Sequence, residues 1–247
     1  METIITVILL SLPILVSGLL ALNFRLNQKV FRLVLAFSAA YLFSTTIMHL
    51  LPEAYAGYHF KWVGLFIVLG FSVQLLIENF STGLEHGHSH HHSVACKDHF
   101  PYGVIAGLFI HSFLEGLPVY HSDSSEIAHG HQHTNLQLIL GLIIHNVPIS
   151  FLFVALLKDH HVKTTSIMFN LLLFSLMAPA GYLFSILLHS INASGLMAYQ
   201  YVADAVVIGI FLHISTAILF ETGDEHKYSP LKIFAMLVGI LLAFILS

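Results

Sequence analysis

The chain has few charged residues and almost no cysteine. Only 9% of its 247 residues are charged, whereas a soluble domain carries about 25%. The single cysteine, Cys96, excludes an internal disulfide. A net charge of -4 argues against a broad basic surface, so no nucleic-acid partner is expected. Hydrophobic residues make up 57% of the chain, and the mean hydropathy is +0.84. This composition predicts an integral membrane protein that lies in a lipid bilayer.

Eight apolar stretches follow one another along the chain. Each is close to the roughly 20 residues that a helix needs to cross a bilayer. The stretches are continuously apolar, which favours helices over the alternating strands of a barrel. The sequence therefore predicts an all-α integral membrane protein with eight transmembrane helices, forming one transmembrane domain over residues 1–247. The predicted spans are 3–22, 31–52, 61–81, 101–120, 136–157, 164–189, 197–220 and 230–247.

The distribution of lysine and arginine predicts how these spans are oriented, because such residues concentrate in cytoplasmic loops. If the amino terminus is outside, only Lys61 lies in an outer loop. Both termini are therefore predicted to be outside, the histidine-rich loop 83–100 in the cytosol, and the histidine-rich loop 121–135 outside. The basic residues predicted to lie inside are Arg25, Lys29, Arg32, Lys97, Lys158, Lys163, Lys227 and Lys232.

A weak internal similarity predicts inverted repeats. The segment LFSTTIMHLLPE in span 2 resembles FLHISTAILFE in span 7, and each ends on a glutamate, Glu53 and Glu221. The two spans run in opposite directions, as in the inverted repeats of many secondary transporters.

Two groups of polar residues interrupt the apolar spans 4 and 5 near their middle. Span 4 contains HSFLEG at 111–116, and span 5 contains HNVP at 145–148. Ionisable residues at such depth are costly, and they usually line a path for a substrate or an ion. His111 and Glu115 are four residues apart, so both project from one face of a helix. His145 falls at a similar depth on the next, antiparallel span.

The residues around these groups suggest room for an ion. Gly116 removes bulk beside Glu115, and Pro118 has no N–H to donate to the carbonyl of Leu114. Pro148 likewise leaves the carbonyl of Ile144 without its usual donor. We interpret the freed carbonyls and the narrow helix face as features that let a hydrated cation approach.

Two imidazoles and one carboxylate are ligands that suit zinc and its first-row neighbours. His111, Glu115 and His145 supply three ligands, which leaves positions for water, Ser112 or Asn146. An open site of this kind suits transport, because an ion that is enclosed too tightly is not released. The alternative is that these residues are polar contacts between helices, each worth about 0.6–2 kcal/mol.

Further histidines lie toward both faces of the predicted bundle. His49 and Glu53 form a second pair four residues apart, near the outer end of span 2. They either contribute to a metal pathway or are interfacial residues that reach water. The loop 83–100 is a candidate for weak metal contacts, or alternatively a solvated linker. Its candidate metal contacts are His86, His88, His90, His91 and His92.

These motifs resemble those of the Zrt/Irt-like (ZIP) metal transporters. The similarity rests on HSFLEG and HNVP, and extends to HLLPEA (49–54), GFSVQLLIE (70–78), MAPAG (177–181) and GIFLHI (209–214). The resemblance implies import of zinc, with iron or manganese as further substrates, by movement of spans 1, 4, 5 and 6 against spans 2, 3, 7 and 8. It implies His111, Glu115 and His145 as metal ligands, with Ser112 and Asn146 as nearby polar partners.

The chain departs from the family pattern at two positions. Family members usually have a glutamate where this chain has Ile149, and often a carboxylate or amide near Ala178. These departures favour one central metal site over two. The prediction is a transporter in the plasma or inner membrane, with no prosthetic group, no enzymatic activity, and a homodimer as a candidate assembly. The alternatives are a membrane-embedded zinc hydrolase and a metal-binding relative with little transport activity.

Overall fold

The computed structural model describes residues 2–24, 26–57, 60–81, 101–120, 134–191, 196–220 and 229–246. Over these ranges the chain is almost entirely helical and contains no strand. Seven of the helices in the described ranges are long and apolar enough to cross a membrane, and Pro230–Ile245 is a shorter apolar helix. The predicted class, an all-α membrane bundle, is confirmed. The count of eight membrane crossings and the outward termini stay predictions, and both histidine-rich loops lie outside the described residues.

Each predicted span contains a helix, and span 2 is divided. A π-helical turn, Thr46–Leu50, joins two α-helices in this span, and a 3-10 turn, Leu117–Val119, follows the helix of span 4. The helices within the described ranges are α1 (Glu2–Asn23), α2 (Gln28–Thr45), α3 (Leu51–Gly57), α4 (Phe60–Ser81), α5 (Tyr102–Gly116), α6 (Thr134–Asp159), α7 (Thr164–Ile191), α8 (Leu196–Phe220) and α9 (Pro230–Ile245).

The helices pack as two groups. In the first group α1 packs on α6 and α7, and α5 packs on α7. In the second group α4 and α2 both pack on α8, and α9 packs on α2. The two groups meet where α2 contacts α6 and where α4 contacts α5. This grouping of helices is the same as the one implied by the family resemblance, in which spans 1, 4, 5 and 6 move against spans 2, 3, 7 and 8.

Close helix packing within each group depends on glycines that face a carbonyl of the neighbouring helix. A methyl group at Gly116 would overlap the Ala178 carbonyl of α7, and one at Gly181 would overlap the Phe113 carbonyl of α5. In the second group Gly70 faces the carbonyl of Val206 in the same way. Small residues permit such backbone contact in membranes, where van der Waals packing drives helix association. Between the groups, a methyl group at Gly141 would instead lie 3.1 Å from the ring of Tyr41.

The buried apolar residues form two clusters. The larger cluster combines residues of both helix groups, such as Leu42 and Phe211 with Leu142. The smaller cluster contains residues of the first group alone, and in the predicted orientation it lies in the cytosolic half of that group. The smaller cluster consists of Ile14, Ala21, Ile105, Leu108, Ile149, Phe153, Val154, Leu157, Ile167, Leu171 and Phe174.

The turn from α6 to α7 has a Schellman geometry. The N–H of Val162 donates to the carbonyl of Leu157 (3.0 Å), and the N–H of His161 donates to that of Lys158 (2.9 Å). The residue at the left-handed position of this motif is usually glycine, but here it is His161, with φ 54°. The Lys158 ammonium also donates to the carbonyl of Leu22 (2.6 Å), at the end of α1. The end of α6 therefore fixes the end of α1.

We expect His161→Gly to stabilise the folded protein by up to about 1 kcal/mol. A side chain in the left-handed region costs about 1–2 kcal/mol, and the greater freedom of glycine in the unfolded chain offsets part of that gain. His161 is exposed, so the substitution removes no packing. The measurement is the thermal unfolding midpoint in detergent. His160→Gly is the control, because residue 160 has no positive φ, and it should lower the midpoint. A lower midpoint for His161→Gly would contradict the prediction.

Candidate metal centre

Helices α5 and α6 bring the three predicted ligands together. Glu115 Oε1 lies 3.0 Å from His111 Nε2, one turn earlier on α5. The same oxygen lies 3.8 Å from His145 Nε2 on α6. One ligand atom from each of the three residues lies within 4.8 Å of the other two. Among the described residues, this is the one group of three or more histidine, cysteine or acidic side chains close enough to share a metal ion.

These distances are compatible with a first-row metal. In a tetrahedral zinc site, bonds of about 2.0–2.2 Å place neighbouring ligand atoms about 3.4 Å apart. The distance from Glu115 Oε1 to His111 Nε2 (3.0 Å) is slightly shorter than this value, and the distance to His145 Nε2 (3.8 Å) is slightly longer. Small rotations of the side chains would therefore enclose an ion. That His111, Glu115 and His145 hold a metal stays a prediction.

The centre is completely buried. The side chains of His111, Glu115 and His145 all have 0% exposure. Burying an ionised group without a partner is very costly, whereas paired or metal-bound charges are tolerated. The two imidazole rings lie 6.2 Å apart, close to perpendicular at 79°, so their edges converge on the carboxylate rather than stacking. The arrangement brings donor atoms from two helices to one point inside the bundle.

Asn146 completes the surroundings of the carboxylate. Its Nδ2 donates to Glu115 Oε2 at 3.0 Å. Sequence reasoning placed Asn146 near the site but did not predict this hydrogen bond. Ser112 is also fully buried, and its hydroxyl makes no hydrogen bond within the described part of the chain. Both predicted polar partners therefore lie in the interior, and each follows a predicted ligand directly in the sequence.

Two interpretations of the residues around the site are wrong. The Leu114 carbonyl is not left without a donor, because the N–H of Leu117 donates to it as the chain enters the 3-10 turn. Gly116 does not open space for an ion either. The position of its missing side chain is filled by the Ala178 carbonyl, so this glycine permits contact between α5 and α7.

The two positions that depart from the family pattern are both buried. Ile149 is 2% exposed and belongs to the smaller apolar cluster. Ala178 is 0% exposed, and its backbone contacts Gly116. The structure fills both places with tight apolar packing, so neither faces lipid.

The predicted outer pair lies apart from the centre. His49 is half-buried in the π-helical turn, and Glu53 is exposed on α3. Neither belongs to the candidate metal-binding group found among the described residues. Single π-helical turns often occur at functional sites, which keeps a pathway role open as a prediction. The histidines of the loop 83–100 lie outside the described residues.

Sequence reasoning missed a second buried pair, in the other helix group. His213 Nε2 of α8 lies 3.5 Å from Glu78 Oε2 of α4, and the side chains are 8% and 19% exposed. The His213 ring also meets the ring of Phe71 edge to face at 4.7 Å. No local pattern in the sequence indicates this contact, because it depends on which helices are neighbours.

Comparison with known proteins identifies the family of the chain. The family described as ZIP Zinc transporter matches residues 2–102 and 100–247. The zinc transporter ZIP9-A of Xenopus laevis is 27% identical over 210 residues, covering 75% of this chain and 65% of the relative. The zinc transporter ZIP9 of Xenopus tropicalis is 26% identical with the same coverage. The chain thus spans just under two thirds of these relatives. Because the family match extends over nearly the whole sequence, this chain belongs to the ZIP zinc transporter family.

Proposed function

We propose that this protein carries zinc across a membrane into the cytosol, using His111, Glu115 and His145 as its transient ligands. The observation that supports the proposal most directly is the convergence of these three fully buried side chains from α5 and α6. Family membership and the names of the two similar proteins agree with zinc as the substrate. Fe2+ and Mn2+ are further candidate substrates.

The composition of the centre suits a carrier. Two neutral imidazoles and one carboxylate neutralise only half of the charge of a dication. Three protein ligands also leave coordination positions that water can occupy, as in zinc sites that exchange their fourth ligand. Both features favour release. Nitrogen-rich ligands favour Zn2+ over Mn2+, so we propose zinc as the preferred ion.

The position of the site helices supports a mechanism of alternating access. Both α5 and α6 belong to the first helix group, and they are the helices that contact α4 and α2 of the second group. Backbone-level glycine contacts hold α5 to α7 and α4 to α8. We propose that each group moves as a unit, so that the centre is exposed first to one face and then to the other.

The proposed orientation rests on the distribution of basic residues. This distribution predicts that the loop 83–100 lies in the cytosol, where its histidines would receive the released ion. We place the protein in the plasma or inner membrane and keep a homodimer as the candidate assembly. The complete burial of the ligands favours a small ion over the bulky substrate of a membrane hydrolase, because such a substrate would have to reach the metal-bound water.

We expect proteoliposomes that contain the purified protein to take up radioactive zinc faster than protein-free vesicles. Uptake should saturate, and excess Mn2+ should compete less strongly than excess Cd2+, whose preference for nitrogen ligands is closer to that of zinc. The direction of zinc transport is tested by comparing inside-out with right-side-out vesicles, whose orientations are distinguished by protease accessibility. The proposal fails if folded, correctly inserted protein gives no more uptake than empty vesicles.

A further inference from the structure

The two oxygens of the Glu115 carboxylate have different surroundings. Oε1 lies 3.0 Å from His111 Nε2 and 3.8 Å from His145 Nε2. Oε2 lies 3.0 Å from Asn146 Nδ2. One oxygen therefore faces the two imidazoles, while the other accepts a hydrogen bond from an amide.

The local geometry of α6 explains this arrangement. His145 and Asn146 are consecutive, so their side chains leave the helix about 100° apart. Glu115 of α5 projects between them, and each of the two side chains approaches a different carboxylate oxygen. Because a carboxylate oxygen only accepts hydrogen bonds, the amide must present its NH2 group to Oε2. This fixes the orientation of Asn146.

The hydrogen bond is protected from competition. Asn146 is 1% exposed and Glu115 is 0% exposed. Hydrogen bonds to a charged acceptor are stronger than neutral ones, and a low local dielectric strengthens them further. Breaking this bond would leave a buried NH2 group without an acceptor, so Oε2 remains with the amide while Oε1 is available to an ion.

We infer that Asn146 is a positioning residue that restricts Glu115 to coordination through Oε1 alone. The inference rests on the proposed metal transport and deepens it. A carboxylate that binds through one oxygen makes one metal bond fewer than a chelating carboxylate. The ion therefore has three bonds to the protein and keeps one exchangeable position. With one lone pair of Oε2 already engaged by the amide, Glu115 is also less able to bridge to a second cation.

Cobalt provides the test, because the intensity of its visible absorption falls when coordination rises from four to five or six. The wild-type protein and Asn146→Ala are saturated with Co2+ in detergent. Subtracting the spectrum of His111→Ala removes the absorption of Co2+ bound to histidines elsewhere in the chain and leaves the absorption of the centre. We expect strong four-coordinate absorption for the wild type. Asn146→Ala should absorb several-fold more weakly, because Oε2 is then free to chelate.

Two further variants make the result decisive. Ser175→Ala removes a buried hydroxyl that donates only to the Leu172 carbonyl of its own helix (2.8 Å), and its spectrum should match the wild type. Asn146→Leu keeps the number and branching of the side-chain heavy atoms and replaces the alanine variant if that variant does not fold. An unchanged absorption intensity at saturation in the folded variant overturns the inference, whatever the change in affinity. If the wild type gives no signal above His111→Ala, the proposed metal centre itself fails.

Discussion

Replacing Glu115 by alanine is expected to reduce zinc uptake to the level of protein-free vesicles. Glu115 is the one acidic residue in the candidate metal-binding group of the described chain, and its Oε1 is the atom that both imidazoles approach. Without it, a dication would enter a fully buried site that offers no negative charge, which is very costly. Loss of a residue that merely supports a ligand costs about 10–100-fold in metal affinity. Loss of this ligand should cost more.

A second substitution separates charge from shape. Glu115→Gln keeps the length of the side chain and an oxygen, but it carries no negative charge. We expect it to be as inactive as the alanine variant in the initial rate of zinc uptake, with unchanged yield and elution volume. Asn170→Ala is the matched control, because Asn170 is half-buried and its amide donates to the Ser166 carbonyl one turn earlier on the same helix (2.8 Å). Uptake by Glu115→Gln at the wild-type rate would show that the carboxylate is not a ligand.

Gly116→Ala is expected to destabilise the protein strongly although it adds only a methyl group. That group would overlap the backbone carbonyl of Ala178, and Gly181, about one turn further along α7, makes the reciprocal contact with the carbonyl of Phe113. A backbone carbonyl cannot rotate away as a flexible side chain can. Overpacking typically costs 1–3 kcal/mol, and we expect the upper end of this range. The measurements are the yield of monodisperse protein and the thermal unfolding midpoint.

Gly64→Ala is the matched control for this prediction. Among the described residues, a methyl group at Gly64 would meet only the Tyr55 hydroxyl, at an ordinary 3.5 Å. Alanine is the better helix former by about 1 kcal/mol, so this variant should be as stable as the wild type or more so. Equal midpoints for Gly116→Ala and the wild type would show that α5 and α7 separate easily at this contact.

Much of the fold could be predicted from hydropathy alone. Each of the eight predicted spans contains a helix in the described ranges, because continuous apolar runs of this length have few alternatives in lipid. The pair formed by His111 and Glu115 could also be predicted, since residues four apart lie on one helix face. The π-helical turn at Thr46–Leu50 was not predicted, because no local residue pattern distinguishes it from the α-helix around it.

The function of Gly116 was misinterpreted for a related reason. A glycine beside a polar residue looks the same in the sequence whether it faces an ion or a neighbouring helix. The Ala178 carbonyl that fills this space lies more than sixty residues further along the chain. The pair formed by Glu78 and His213 was missed because the sequence does not state which of eight helices are neighbours.

The sequence by itself determined the membrane class, the helices and the residue types that can bind a metal. These properties depend on composition and on spacing within one helix. The tertiary structure alone decided that Asn146 holds one oxygen of Glu115 while His145 approaches the other, and that Gly116 serves packing. In a membrane the lipid-facing and buried faces of a helix are both apolar, so hydropathy does not fix the rotation of a helix about its axis. Packing between helices fixes that rotation, and with it the side chains that meet.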